Sequence, residues 1–180
     1  MRVISGKARG VVLKTPEGAM TRPTADRVKE AMFSIIQFDL PGASVLDLFG
    51  GTGQLGIEAL SRGATKAVFV DQRDDACKLI RENLRRTGMS ECAQVIRSDY
   101  AAYLKKCKSS FQIILLDPPY AEVFLENSLK MITEIDILQS GGIIVAESPV
   151  GKSLEGEFLQ HFQTKTYKYG NTMLMVCRKN

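Results

Sequence analysis

The sequence lacks the features that mark membrane-spanning, secreted and zinc-binding proteins. Its longest aliphatic runs contain four residues, whereas a transmembrane helix needs roughly 20. The first residues lack the apolar core of a signal peptide. The chain has one histidine, His161, and its four cysteines are scattered without a CxxC pair at Cys77, Cys92, Cys107 and Cys177. We therefore expect a reduced, cytoplasmic protein with no membrane segment and no metal site, in which His161 lies at the surface.

The composition is that of an ordinary globular protein, with 44% hydrophobic and 24% charged residues in a chain of 180. This length suits a single domain. The net charge of +4 is uneven, because residues 1–30 and 151–180 are basic while residues 31–150 are slightly acidic. A basic arm attached to an enzyme core would give this distribution, and so would chance clustering on a solvated surface. We interpret residues 1–40 as a basic arm and helix, and residues 41–180 as the core.

Strands and helices alternate along most of the chain, which predicts an α/β fold with a mainly parallel sheet covered on both faces. Near the end, two β-rich segments at 163–169 and 172–177 are separated only by Gly170-Asn171, which predicts an antiparallel hairpin. Residues 2–15 predict a short hairpin or extended arm. The other predicted strands are 44–48, 66–71, 93–97, 113–116 and 142–147, and the longer predicted helices are 24–38, 74–87 and 122–134.

A glycine-rich loop follows the first predicted strand, in the form Gly51-x-Gly53-x-x-Gly56. Together with Asp71, 20 residues after Gly51, it matches the dinucleotide fingerprint, so an NAD-dependent oxidoreductase is one interpretation. Asp47, at the end of that strand, argues against it, because a carboxylate would repel a pyrophosphate at the helix N-terminus. The same carboxylate suits the cationic, amine-bearing end of S-adenosylmethionine.

Two more acids follow predicted strands and complete a cup for a positively charged nucleoside. Asp71 would accept hydrogen bonds from the two ribose hydroxyls, and Asp99 would accept one from the adenine amino group. Each of the three acids, including Asp47, can instead be a helix cap or a strand terminator.

The string Asp117-Pro118-Pro119-Tyr120 ends a strand that is predicted to be buried on both faces. Two successive prolines can continue neither a helix nor a central strand, so these residues form a stiff turn at the edge where ligands bind in α/β sheets. The Asp117 side chain and the Pro118 carbonyl are two acceptors that suit a planar exocyclic amine, and the Tyr120 ring can lie flat on the base. A turn in which Asp117 only caps the next turn is the alternative.

These motifs resemble a known group of enzymes. The glycine loop and the helix after it, at residues 45–64, together with the Asp-Pro-Pro-Tyr string, resemble class I methyltransferases that modify amino groups of nucleobases. Residues 4–10 and the Thr21-Arg22-Pro23-Thr24 signature look like the RsmD family of bacterial 16S ribosomal RNA guanine-N2 methyltransferases. The resemblance covers nearly the whole chain, with Gly50 where many relatives carry alanine. Adenine-N6 enzymes acting on DNA or RNA share Asp-Pro-Pro-Tyr, so this string does not choose the base.

The resemblance implies a seven-stranded Rossmann-like sheet, mostly parallel with an antiparallel last strand. It also implies S-adenosylmethionine as cofactor and 16S rRNA, in the small ribosomal subunit or an assembly intermediate, as partner. The predicted cofactor-binding residues are Asp47, Phe49, Gly51, Gly53, Asp71 and Asp99. The predicted catalytic residues are Asp117, Pro118, Pro119 and Tyr120. The predicted RNA-binding residues are Arg2, Lys7, Arg9, Arg22 and Arg27.

Some alternatives stay open from the sequence. Arg22 and Arg27 can brace the arm against the core instead of gripping RNA. Tyr100 and Tyr103 are expected in the core and not as platforms on which bases stack. A binding module that keeps the fold without catalysis is a further possibility for the whole chain, which we expect to be a monomer.

Overall fold

The structure is a computed structural model that describes residues 1–16, 23–119, 122–150 and 156–180. Strands and helices alternate through these ranges, and none of the described helices is long and apolar enough to cross a membrane. The strands are β1 Ser44–Asp47, β2 Lys66–Asp71, β3 Ala93–Arg97, β4 Phe111–Leu116, β5 Leu138–Pro149, β6 Phe162–Tyr169 and β7 Thr172–Lys179. The helices are α1 Pro23–Ile35, α2 Gln54–Ser61, α3 Asp74–Thr87, α4 Tyr100–Lys106 and α5 Glu122–Ile135, with short 3-10 turns at Ser90–Cys92 and Glu157–His161.

All seven strands form one sheet in the order β3-β2-β1-β4-β5-β7-β6. Only β7 runs antiparallel to its neighbours, β5 and β6, which confirms the predicted sheet and the predicted hairpin. The strand order changes direction between β1 and β4, and the crevice of an open α/β sheet lies outside the carboxyl ends of the strands at such a point. Asp47 at the end of β1 lies opposite Leu115 of β4. Asp117 therefore follows two residues later at the same edge.

The predicted element boundaries agree with the structure except at a few ends. The helix predicted for residues 24–38 ends at Ile35. Ile36 is buried but Phe38 is 90% exposed, so the chain beyond Ile35 no longer presents a single apolar face. The strand predicted for residues 142–147 is longer at both ends, because β5 also pairs with Phe111 at its start and with Thr172 at its end.

The core has two clusters, one on each face of the sheet. The first joins Val45 of β1 to Val28 of α1 and Ile80 of α3, and it also contains residues of the arm and of α2. The second joins Leu46 to Leu104 of α4 and residues of α5. Because Val45 and Leu46 are neighbours on one strand, their side chains point to opposite faces, as the alternation along a strand requires.

The N-terminal arm folds back on itself, with the N–H of Val3 donating to the carbonyl of Val11 at 3.0 Å and that of Gly10 to the carbonyl of Val3 at 2.9 Å. A single antiparallel bridge pairs Arg2 with Val12.

The arm lies against α2. The backbone N–H groups of Ile4 and Ser5 donate to the buried carboxylate of Glu58, with N···O distances of 2.8 and 3.0 Å. Side chains of other helices hold the arm too, since the N–H of Lys14 donates to Oδ1 of Asn83 on α3 at 2.8 Å. The arm is therefore fixed to the core by side chains of the helices and not by pairing with the sheet.

The backbone of the arm approaches α2 at Gly6 too closely for a side chain. This residue has φ +83°, and a Cβ atom there would lie 1.8 Å from the carbonyl oxygen of Ser61. The next N–H along the chain, that of Lys7, donates to the same oxygen at 2.8 Å. Only glycine satisfies both the backbone conformation and this spacing.

Candidate active site

A cleft of about 400 Å³ lies at the carboxyl edge of the sheet, where β1 and β4 are neighbours. Its wall comes from the residues that follow four consecutive strands in space, β3, β2, β1 and β4. Six of the predicted site residues line it. They are Phe49, Gly51, Asp71, Asp99, Asp117 and Pro119.

The glycine loop bends sharply at the floor of this cleft. Gly51 and Gly53 have φ values of +54° and +80°, a region in which side chains are strained. The N–H of Gly53 donates to the carbonyl of Gly50 at 2.6 Å, and the N–H of Gly50 donates to that of Val70 at 2.8 Å. These bonds tie the loop to β2 and let its backbone face the cleft without intervening side chains.

Asp71 holds the loop from the neighbouring strand. Its Oδ2 accepts from the Gly51 N–H at 2.9 Å, and its Oδ1 accepts from the Arg73 N–H at 2.9 Å. The carboxylate is 12% exposed, so it is fixed in direction and still reaches the cleft. Asp99 lies further along the same wall and caps α4, because its Oδ1 accepts from the N–H groups of Ala101 and Ala102. Asp99 therefore both caps α4 and lines the cleft.

Asp47 lies beneath the glycine loop and not among the residues that line the cleft. Its side chain is 1% exposed, and Oδ2 accepts from the Gly56 N–H at 3.0 Å. Within the described ranges its Oδ1 has no hydrogen-bond partner. Burial raises the pKa of this carboxyl to about 8, and the charges of Asp117 and Asp71 act in the same direction. The predicted contact between Asp47 and a cofactor amine stays a prediction.

Three aromatic rings form the apolar side of the cleft. The ring centroids of Phe49 and Tyr100 are 5.4 Å apart, and those of Tyr100 and Phe124 are 5.7 Å apart. Tyr100 was expected in the core, and its half-buried ring does pack against the core cluster on the α4 and α5 face. The same ring also lines the cleft, which was not predicted. Tyr103, one turn later, packs against the core as predicted.

The turn after β4 separates this cleft from a second cavity. Asp117 and Pro119 line both. Asp117 is half-buried, and burial raises the pKa of its carboxyl to about 6. Pro118, also half-buried, lines the second cavity. Tyr120, the last residue of the predicted turn, lies outside the described residues.

The second cavity, of about 330 Å³, lies between the turn after β4 and residues of α1, α2 and β5. Lys29 comes from α1, Gln54 and Leu55 come from α2, and Glu147 comes from β5. Burial, followed by the charge of Asp117, raises the pKa of Glu147 to about 7. Two acids and a lysine therefore surround a small space beside the start of α2, and Asp117 is shared between this space and the cleft.

Lys29 is 2% exposed and is fixed by two acceptors. Its Nζ donates to the carbonyl of Arg2 at 2.7 Å and lies 3.7 Å from Oε2 of Glu58. Burial lowers the pKa of this amine, and the charges of Glu58 and Asp26 act in the opposite direction. The lysine thus links the arm, α1 and α2 at the edge of the second cavity.

The predicted RNA-binding residues fall into two groups. Arg2, Lys7, Arg9 and Arg27 are exposed, the first three on the arm and the last on α1. Arg22 lies outside the described residues. No three His, Cys, Asp or Glu side chains in the described part of the chain are grouped to hold a metal ion.

The chain is similar to known proteins along nearly its whole length. Residues 1–178 match the family described as conserved hypothetical protein 95. YlbH of Bacillus subtilis is 40% identical over 182 residues, covering 99% of each chain. The ribosomal RNA small subunit methyltransferase D of Escherichia coli is 32% identical over 154 residues, covering 86% of this chain and 77% of that one. The chain belongs to the RsmD family.

Solved structures agree with this assignment. The Escherichia coli protein yhhF superposes with a TM-score of 0.87 at 27% identity, covering 100% of this chain and 98% of that one. The Thermus thermophilus protein TTHA0928 gives 0.82 at 30% identity, with 98% of each chain covered. SMU.776, a methyltransferase structure complexed with SAH, gives 0.67 at 16% identity, covering 90% of this chain and 51% of that one, and it shares the fold alone.

Several residues of this RsmD-family site were not predicted from the sequence. In the cleft they include Arg73, Ser98 and Phe124. Arg73 and Ser98 lie just after the predicted strands β2 and β3, and their position at strand ends could have identified them. In the second cavity they include Lys29 and Glu147. Nothing in the local sequence distinguishes these two from an ordinary helix lysine and an ordinary strand-end acid.

Proposed function

We propose that the protein transfers a methyl group from S-adenosylmethionine to the exocyclic N2 amine of a guanine in 16S rRNA. The observation that carries this proposal is the position of Asp117, which lines both the cleft over the glycine loop and the separate cavity beyond it. A group held in one space can therefore meet a group held in the other at this residue. The RNA would be presented by the small ribosomal subunit or an assembly intermediate, in the cytoplasm, to a monomer.

The residues of the cleft suit S-adenosylmethionine. The bare backbone at Gly51 allows a close approach, and the fixed carboxylate of Asp71 suits the ribose hydroxyls. The buried Oδ1 of Asp47, which has no partner among the described residues, would gain one from the amino group of the cofactor, directly or through a water. When bound, S-adenosylmethionine supplies a methyl group that its sulfonium has already activated.

The task of the protein is then placement of the target amine, for which a well-aligned attack can lower the barrier by roughly 7–11 kcal/mol. The lone pair of an exocyclic guanine amine is delocalised into the ring. Hydrogen bonds from this amine to the Asp117 carboxylate and the Pro118 carbonyl favour a pyramidal nitrogen, which localises the lone pair. With a pKa of about 6, Asp117 is mostly ionised at neutral pH and accepts such a bond. After transfer, Asp117 or water takes the proton.

The target base must leave its stack to reach this cavity. Residues 1–40 would grip the RNA backbone through Arg2, Lys7, Arg9, Arg22 and Arg27, while residues 41–180 hold the cofactor and carry out the transfer. Tyr120 would stack on the base, which is worth about 1–3 kcal/mol for each stacked base.

The test is methyl transfer from tritiated S-adenosylmethionine to small ribosomal subunits that lack the modification, with mass spectrometry to locate the product. We expect the wild-type chain to label one guanine at N2. Asp117→Ala should lower the rate at least about 100-fold, because it removes a positioning group, while affinity for S-adenosylhomocysteine is kept. Glu126→Ala, which removes an exposed acid on α5, is the control and should act as wild type.

Near-normal turnover by Asp117→Ala would refute the role of Asp117. Label at the N6 atom of an adenine would replace the guanine assignment with its alternative. Retention of NAD in place of S-adenosylmethionine would refute the methyltransferase itself.

A further inference from the structure

The second cavity contains an acid that the proposed transfer leaves without a role. Glu147 lies on β5, where Ala146 is in register with Leu116 of β4. Leu116 and Ala146 both pack in the core cluster on the α4 and α5 face. Because side chains alternate along neighbouring strands, the next residues, Asp117 and Glu147, turn together toward the α1 and α2 face, where both line the cavity.

The partners of Lys29 show that Glu147 is not the acid that neutralises this lysine. Lys29 donates to the Arg2 carbonyl and pairs with Glu58. Between the residues that the structure describes, the hydrogen bonds and salt bridges do not include the Glu147 carboxylate. Burial, followed by the charge of Asp117, raises the pKa of this carboxyl to about 7. A donor from a bound molecule would relieve both effects.

Guanine offers such a donor beside the reacting amine. Its N1–H and its N2 amine lie next to each other on the Watson–Crick edge, which is the edge that proteins read on an unstacked base. Adenine presents N1 as a lone pair beside its N6 amine. An ionised carboxylate that faces N1 therefore attracts guanine and repels adenine, and the N1–H donor of a bound guanine favours the ionised form.

We propose that Glu147 accepts the N1–H of the target guanine while Asp117 and the Pro118 carbonyl hold its N2 amine. This inference rests on the proposed function and extends it to base selection. Glu147 is then a specificity-determining residue. On the Watson–Crick edge of the guanine, Glu147 contacts N1–H and Asp117 contacts the N2 amine. Sites built to hydrogen-bond a substrate N–H reject analogues that lack it by about 10⁴–10⁵-fold, because buried polar groups are left unpaired.

The test compares two small ribosomal subunits that differ only at the mapped target nucleotide, which is guanine or 2-aminopurine. 2-Aminopurine keeps the amine at position 2 but presents N1 as a lone pair. The wild-type chain should prefer guanine by at least about 100-fold. Glu147→Gln presents a carboxamide N–H₂ that donates to this lone pair, so the preference should fall at least about 10-fold.

Two controls separate base selection from a general loss of structure. Glu126→Gln, an exposed acid on α5, should keep the wild-type preference. Glu147→Gln should keep the wild-type thermal unfolding and affinity for S-adenosylhomocysteine. If its transfer is too slow to measure, equilibrium binding of the two subunits in the presence of S-adenosylhomocysteine gives the same ratio.

An unchanged preference in Glu147→Gln, by transfer or by binding, would overturn this inference and leave the proposed function intact. A wild-type chain that fails to methylate the guanine subunit would overturn the proposed function, and the inference with it. The contribution of guanine O6, which 2-aminopurine also lacks, is the same for both variants and does not change the comparison.

Discussion

The two sides of the Asp117 turn are built in different ways. The side that faces the glycine loop consists mainly of residues at or just beyond strand ends, such as Gly51 after β1, Asp71 and Arg73 at the end of β2, and Asp99 after β3, with Phe124 of α5 added. The side that faces Glu147 is assembled from α1, α2, β4 and β5. The first side is therefore a property of the sheet edge, whereas the second depends on how the arm and α1 are attached.

This difference separates what the sheet supplies from what the arm, α1 and α2 add. The carboxyl edge of any open sheet with this strand order offers a ligand crevice. The SMU.776 structure shares this fold at only 16% sequence identity. The second side requires that Lys29 be carried to the cavity by α1 and held there by Glu58. We therefore expect changes at the arm contacts to affect the base side and to spare the cofactor side.

Of these changes, Glu58→Gln should have the largest effect, and it should impair the base side more than the cofactor side. Glu58 is fully buried, accepts two N–H groups of the arm and pairs with Arg62 as well as Lys29. Removing its charge leaves Lys29 buried without an ion-pair partner, which costs about 3 kcal/mol or more. Urea unfolding should show this loss, and methyl transfer should fall by more than the affinity for S-adenosylhomocysteine does.

The matched control is Glu82→Gln, since Glu82 pairs with Lys14 of the arm at the surface. It should leave the free energy of unfolding almost unchanged, because exposed ion pairs contribute little. If Glu58→Gln lowers cofactor affinity and transfer by the same factor, the two sides are not separable.

Asp71→Asn should act on the cofactor side alone. Asp71 accepts one N–H from Gly51 and one from Arg73, and an amide keeps only one acceptor oxygen for the two donors. Hydrogen bonds to charged groups contribute about 1.5–3 kcal/mol, so the dissociation constant for S-adenosylhomocysteine should rise at least about 10-fold. Isothermal titration calorimetry measures this, and RNA affinity should not change.

Asp75→Asn serves as the control for this variant. Asp75 is exposed at the start of α3, and its one salt bridge among the described residues is to the Arg73 side chain. An equal loss of affinity in both variants would mean that Asp71 acts through Arg73 and not through the glycine loop.

The same division explains what could be predicted from the sequence. The sheet follows from alternating apolar segments, and the glycine loop and the Asp117 turn are contiguous strings whose chemistry is visible before folding. Glu147 is 30 residues from Asp117 in the chain, and only the pairing of β4 with β5 makes them neighbours. Lys29 fits the polar side of an amphipathic helix, and its burial depends on Glu58, which lies on another helix.

Tyr100 illustrates a different limit. The sequence predicts that Tyr100 packs inward with Tyr103 and Leu104. Its ring does contact that core cluster, but it also lines the cleft, which the sequence did not predict. The capping of α4 by Asp99 sets where this helix starts, and the first helical residue therefore faces the cleft. Hydrophobic spacing alone does not contain this information, because it depends on the exact position of the helix start.

Of these variants, Arg27→Gln should have the smallest effect, and it should change RNA binding on the base side without changing cofactor binding. Arg27 is exposed on α1, the helix that also carries Lys29. If Arg27 contacts an RNA phosphate, its loss should reduce the slope of log affinity against log salt by about 1 and leave cofactor affinity unchanged. Arg85→Gln, on the exposed face of α3, should leave that slope as it is. An unchanged slope in Arg27→Gln would instead assign Arg27 to bracing the arm, and the phosphate contacts would then rest on Arg2, Lys7 and Arg9.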